Sequence, residues 1–245
     1  MDYPSSTQRA KWLYTPADLD AARAAARGRA LKQTESTEFS ASLERKLLAH
    51  HSRTLIQLCR KLNHPDKVIT SSCSFLRRFY VKKSCLEVDP QGIVLTCLYL
   101  ACKVEDCYMG VEQVAAVGGL PTEIILKSEL VLLQGVEFDL ACHCVFKALA
   151  GGSDGARGDD AARQKMETLL ATDAVLLYTP GQLARYCLGV TNEDDAHDAQ
   201  DADDADAVRN GIDRLHEEGK EAQGEELAEF QRVDKLLKAE RKRLK

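Results

Sequence analysis

The sequence lacks the short motifs from which most enzymatic sites are built. Its Gly-Gly pairs and the TPGQL stretch at 179–183 do not have the G-x-x-x-x-G-K spacing of a phosphate cradle. Its six histidines and many carboxylates are scattered through helical patterns, with no nucleophile set beside a base. There is no C-x-x-C pair, and the Cys142-His143-Cys144 cluster is spaced more tightly than ordinary zinc ligands. An enzyme, a metal and a cofactor are therefore not expected, and a regulatory binding protein is the better class.

Long apolar runs are also missing. The longest, inside residues 93–102, holds about ten residues and is too short to cross a bilayer. The first residues carry no signal-peptide pattern, so neither export nor a membrane is expected. Positive charge is not gathered into a broad field, and the formal net charge is −5, which argues against direct nucleic-acid binding. Aromatics are few, at 6%. The nine cysteines are odd in number and mostly embedded in apolar helical patterns, where a thiol acts as a small hydrophobe. A reducing compartment fits that usage.

What is present is helix. The stretch DPQGIVLTCLYLACKVED at 89–106 opens with Asp89 as a cap and Pro90 in the first turn. Residues 93–102 are then apolar except for Thr96, on every side of a helical wheel, which predicts a helix wrapped by others. Lys103 stands at its exit. In PTEIILKSELVLLQGVEF, Glu129 is surrounded by Ile124, Ile125, Leu126, Leu130, Val131, Leu132 and Leu133, which predicts a second, mostly buried helix. Two readings of Lys103 and Glu129 stand side by side. They form an internal ion pair or reach solvent, or they sit at the lip of a groove that takes a partner's carbonyls and free N–H groups.

Around this centre, the chain divides by composition. Thr15 and Pro16 open an alanine-rich helix that ends near Lys32, with Trp12 as its anchor, and residues 33–38 form a polar linker. Leucines at helical spacing run over residues 39–62, and Asn63-His64-Pro65 breaks the chain. A helix follows with Val68, Ser72, Phe75, Leu76, Phe79 and Tyr80 on one stripe. With the 89–106 helix, a short segment ending at Gly118-Gly119 and the Glu129 helix, residues 39–142 hold five helices with short connections, which is one complete helical domain. Beyond it, GGSDGARGDD reads as a flexible insert and two helices break at Thr179-Pro180. Residues 193–206 carry eight acids and no base, and read as a solvated linker. The last stretch is helical, with Leu227, Phe230, Val233, Leu236 and Leu237 as an apolar stripe. Lys238, Arg241, Lys242, Arg243 and Lys245 form either a solvated helix end or a nuclear-import patch.

LTCLYLACKVED followed by SELVLLQGVEFDL resembles the cyclin box in its charged pair, its spacing and its closing Phe-Asp-Leu. SSTQRAKW near the start and TDAVLLYTPGQLA in the second half are similar to the H-type cyclins. The resemblance implies an all-α cyclin fold. A five-helix box at 38–142 precedes a shortened second box-like domain at 143–190. Around these lie an N-terminal segment and helix at 1–37, an acidic linker at 191–206 and a C-terminal helical segment at 207–245. It further implies a regulatory subunit, not itself an enzyme, that activates a cyclin-dependent kinase in the CDK-activating kinase of the TFIIH complex, with a RING-finger assembly subunit as third member and a nuclear location. Lys103 and Glu129 match the family's pair that grips the kinase C helix, and Val104, Leu133 and Leu140 match apolar positions of the same contact. The chain departs from the family in three places. Its first box helix, LERKLLAHHSRTL, lacks the Met-Arg-Ala-Ile-Leu substrate patch of cell-cycle cyclins. The second box is short, and the C-terminal helix is only loosely similar. The alternatives are a transcriptional cyclin without the CDK-activating role, or a cyclin-box scaffold in the manner of transcription factor IIB.

Overall fold

The computed structural model describes residues 3–31, 38–151, 160–190, 202–224 and 227–244. The expected linkers at 33–37 and 193–201, the glycine-rich insert at 152–159 and Lys245 lie outside the described residues. Among the described residues there are thirteen α-helices and no strand. The chain begins with a 3-10 turn at Tyr3–Ser5, α1 (Thr7–Trp12) and α2 (Pro16–Ala30). The expected five follow: α3 (Ala41–Lys61), α4 (Asp66–Lys82), α5 (Pro90–Val104), α6 (Val111–Gly118) and α7 (Thr122–Gly135). Then come α8 (Val145–Gly151), α9 (Asp160–Leu170), α10 (Ala174–Leu177), α11 (Pro180–Leu188), α12 (Ala202–Gly224) and α13 (Leu227–Arg243).

The helix starts follow local chemistry. The side chains of Ser6, Thr15, Ser40, Asp89 and Thr179 each accept a backbone N–H in the first turn of the helix they precede. As expected, α5 is the centre of the first five helices. It packs on α3, α4, α6 and α7, and all its residues from Ile93 to Leu98 are buried. Thr96, the one polar residue in that run, donates its hydroxyl to the Gly92 carbonyl at 2.8 Å. At the α4–α7 contact, Gly135 is required by closeness, because a Cβ there would lie 2.3 Å from the Phe79 ring.

α4 departs from the expected single stripe. Every residue from Val68 to Val81 is buried, Arg77 and Arg78 included. Its second side is covered by α2, α8 and α10, so α4 joins the first five helices to the second group. Two charges make this helix look like a surface helix, and both are satisfied inside. Arg78 donates to the carbonyls of Asp139 (3.0 Å) and Ala141 (3.1 Å). Arg77 donates to Asp173 (3.0 Å) and to the Ala171 carbonyl. Asp173 also accepts from the two terminal guanidinium nitrogens of Arg23 on α2, at 2.5 and 2.6 Å. Burial alone raises the Asp173 carboxyl, but Arg23 and Arg77 outweigh it and hold the group well below the ordinary carboxylate range.

The C-terminal part also differs from expectation. The acidic linker was expected to reach residue 206, yet α12 starts at Ala202. Negative charge is favourable in a first turn, where the peptide dipoles present their positive end. α12 packs on α9, α11 and α3, with Gly219 against Thr168, where a Cβ would meet the side chain at 2.7 Å. The helices packed together in the second half thus extend beyond residue 190. α13 lies on α3, and Phe230 stacks on His50 with ring centroids 3.6 Å apart. Its basic end is not uniformly solvated as expected, because Arg241 donates to Asp89 at 2.6 Å.

Candidate functional site

α5 delivers Lys103 to the surface in its last turn, and α7 runs alongside it. The Lys103 ammonium meets the Glu129 carboxylate and lies 4.4 Å from the centroid of the Tyr99 ring. The pair is neither buried nor free, its side chains being 34% and 20% exposed. An ion pair in that setting contributes at most about 1 kcal/mol to folding, so stability alone is a weak reason for it. The ion-pair reading is met here, at the surface and not in the interior. The two charges bond each other, and they do so at the edge of an open apolar face.

That face corrects the expectation that α7 is mostly buried. Ile125 and Leu132 point into the core, but Ile124, Leu126, Leu130 and Val131 are exposed, Leu130 at 57%. Leu126, Leu130 and the half-buried Leu133 stand at i, i+4 and i+7, which puts them on one side of the helix. An outward stripe of leucine is unfavourably hydrated, and a contiguous exposed apolar face is the kind of surface at which proteins bind one another.

The segment after α7 adds to the face. Glu137 and Phe138 both take left-handed backbone angles, φ 55° and 56°, unusual for residues with side chains. This turns Phe138 outward, 62% exposed, and Asp139 inward. Asp139 accepts from the Thr7 hydroxyl at 2.8 Å and from the Trp12 indole N–H at 3.1 Å. Trp12 itself is 1% exposed, with the Arg78 guanidinium over its ring. α1 therefore braces the turn that displays Phe138. Trp12 is the expected anchor, though it fastens α1 to this turn.

Of the residues singled out from sequence, Lys103 and Glu129 are brought into contact. Val104, Leu133 and Leu140 are each half-buried, packed against the core with part of the side chain accessible. Sequence reasoning missed Leu126, Leu130 and Phe138 as surface residues, although the i, i+4, i+7 spacing was visible. Among the described residues no group of three side chains is placed to hold a metal ion, the Cys142-His143-Cys144 cluster included. No helix of the described residues is long and apolar enough to cross a membrane. A cavity of about 370 Å³ is lined by residues such as His50, Arg53, Gln57, Glu167 and Gln223, none of them from α5 or α7. The candidate site is thus an exposed apolar face beside an ion pair, apart from that cavity.

The family "Cyclin, N-terminal domain" matches residues 26–141. Cyclin-H1-1 of Arabidopsis thaliana is 30% identical over 239 residues, covering 78% of this chain and 70% of its own length. The chain belongs to the cyclin family. Across four curated relatives, the alignments with this cyclin span 55% to 70% of the relative's length. Among solved structures, this cyclin is similar in fold to a chain of the CAK complex of Chaetomium thermophilum bound to ATP-gamma-S, with a TM-score of 0.75 and 23% identity over 98% of this chain and 93% of that one. It is also similar to a chain of yeast TFIIK (Kin28/Ccl1/Tfb3), with a TM-score of 0.66 and 25% identity over 98% and 100% of the two chains. The all-α cyclin fold expected from the sequence is the fold of this cyclin.

Proposed function

We propose that this cyclin is the regulatory subunit that binds and activates a cyclin-dependent kinase in a CDK-activating kinase associated with TFIIH. It does no chemistry itself. In that role it promotes phosphorylation of kinase activation loops and of the RNA polymerase II C-terminal domain, in the nucleus, with a RING-finger subunit as the third member. The observation that carries the reading is the Lys103–Glu129 pair at the edge of the exposed Leu126–Leu130–Leu133 stripe, in a chain related to Cyclin-H1-1.

The mechanism is a shift of population. A kinase C helix that is mobile alone is fixed inward when its apolar side is laid on α7 and the Phe138 turn, so that its glutamate pairs with the ATP-positioning lysine. The apolar face supplies affinity. Lys103 caps carbonyls and Glu129 takes N–H groups at a helix end, which sets the register. Val104, Leu133 and Leu140 complete the contact. Moving a kinase from 1% to 99% active takes about 5.5 kcal/mol of differential binding. The division into a first box at 38–142 and a second helical unit from 143 follows the same reading, with α12 assigned to the second unit.

The test is reconstitution. The purified chain is mixed with each cyclin-dependent kinase of its host, with and without the RING-finger subunit. Phosphorylation of a polymerase C-terminal repeat peptide and of a kinase activation loop is then followed. Stimulation of one kinase on both substrates is expected. Stable binding to none of them overturns the proposal.

A further inference from the structure

α13 is held so that it cannot roll. Leu237 is fully buried, Phe230 stacks on His50, and Arg241 donates to Asp89, whose other carboxylate oxygen caps the first turn of α5 at 3.0 Å. With the inner side fixed, Arg232, Lys235, Lys238, Lys242 and Arg243 all fall on the opposite side and are exposed. They span 12 residues of helix, about 17 Å from first to last. Lys238 is paired with Asp234 and Arg243 with Glu240. Arg232, Lys235 and Lys242 have no carboxylate within 4 Å among the described residues. In a chain of net charge −5 this is a local inversion of sign, built on a rigid support.

Its position matters too. The support is the start of α5 at Asp89, whereas Lys103 stands at the other end of that helix, about 21 Å away at 1.5 Å per residue. A ligand on α13 therefore leaves the α7 face clear.

We propose that the outer face of α13 is a second docking surface, which takes an acidic polypeptide segment of a partner protein while the kinase is bound. Seventeen ångströms of helix match about five residues of extended chain. A nucleic-acid duplex fits worse. A duplex is a polyanion much wider than one helix, and beyond this patch it meets a chain whose net charge is −5. An import signal read as extended chain fits worse still, since these residues are helical and Arg241 is engaged.

The test uses the full chain and a fluorescein-labelled decaglutamate peptide, followed by anisotropy at 50 and 200 mM NaCl. The comparison is between wild type, the triple variant R232E/K235E/K242E and a control, R209E/K220E, on α12. The expected result is saturable binding that weakens at least tenfold in the triple variant and severalfold with salt, and is unchanged in the control. Thermal melts and kinase activation remain at wild-type values in the triple variant, which separates this surface from the α7 face. Equal binding by wild type and triple variant overturns the proposal. So does stronger binding of a 20-base-pair DNA duplex than of the peptide. If the peptide binds only after the acids at 193–201 are changed to their amides, the surface serves the chain's own acidic run, and the partner assignment is overturned.

Discussion

Replacing Asp173 by alanine strikes the point where three parts of the chain meet. Its carboxylate holds Arg23 of α2 by two hydrogen bonds and Arg77 of α4 by one, and Arg77 is only 2% exposed. After the substitution, Arg77 keeps the Ala171 carbonyl but loses its counter-charge in the interior. Breaking a buried pair by removing one partner costs about 3–5 kcal/mol, because the surviving charge is left uncompensated. For a chain of this size that lowers the melting temperature by roughly 10 °C. The pH dependence has a definite sign. The carboxyl is depressed in the fold, from 3.8, so its contribution is fully present above about pH 4 and is lost as pH falls further toward the folded-state value. Urea unfolding of wild type and D173A at pH 7, 5 and 3.5 measures this. The difference between them is expected to be equal at pH 7 and 5 and smaller at pH 3.5. Asp173→Leu combined with Arg77→Met is expected to recover part of the loss, since no buried charge remains. A D173A protein within 1 kcal/mol of wild type at pH 7 refutes the reasoning, and shows that the guanidinium groups find water or other partners.

Three other outcomes are expected. His51 is 7% exposed, and burial, with His50 beside it, pushes its imidazole from 6.5 down to about 4. The unfolded chain therefore binds the extra proton between pH 6.5 and 4, and acidification over that range costs up to about 3 kcal/mol, a loss that His51→Leu removes in a urea-unfolding series. Gly135→Ala drives a methyl into the Phe79 ring and is expected to destabilise by about 1–3 kcal/mol in the same assay, since a packed ring yields only by moving its neighbours. Trp12→Ala empties a fully buried site and strips Asp139 of the indole N–H. A loss of about 3–5 kcal/mol is expected, with faster proteolysis between α1 and α2 and weaker kinase activation because the Phe138 turn loses its brace.

The parts of the fold legible in sequence are those decided by local signals. Asp89-Pro90 and the apolar run broken only by Thr96 define α5, and the Thr15 cap sits where α2 begins. The illegible parts depend on pairs far apart in the chain. Arg77 and Arg78 look like surface residues until Asp173 and the 139–141 carbonyls are brought to them from across the molecule. Likewise, nothing near Trp12 announces Asp139. For the candidate site, Lys103 and Glu129 stood out because charge is rare in their surroundings. The leucines beside them did not, since an apolar residue reads as core until the fold leaves one side of α7 uncovered. The start of α12 was hidden for another reason. Asp-Ala repeats look alike in a solvated linker and in the first turn of a helix.

The most direct measurement is kinase activation by four proteins: wild type, Lys103→Glu, Glu129→Lys and the double swap carrying both changes. Each is titrated against the kinase that wild type activates, with phosphorylation of a polymerase C-terminal repeat peptide as the readout and thermal melts as a control for folding. Reversal of a charge that touches the kinase costs about 2–5 kcal/mol of binding, at least thirtyfold in the half-activating concentration. The expected result is that both single variants show this loss with melting temperatures near wild type. The double swap restores the internal pair but not the activation, because the kinase still presents carbonyls where Lys103 stood and N–H groups where Glu129 stood. Full activation by the double swap contradicts the kinase-gripping role and leaves the two residues as a structural ion pair.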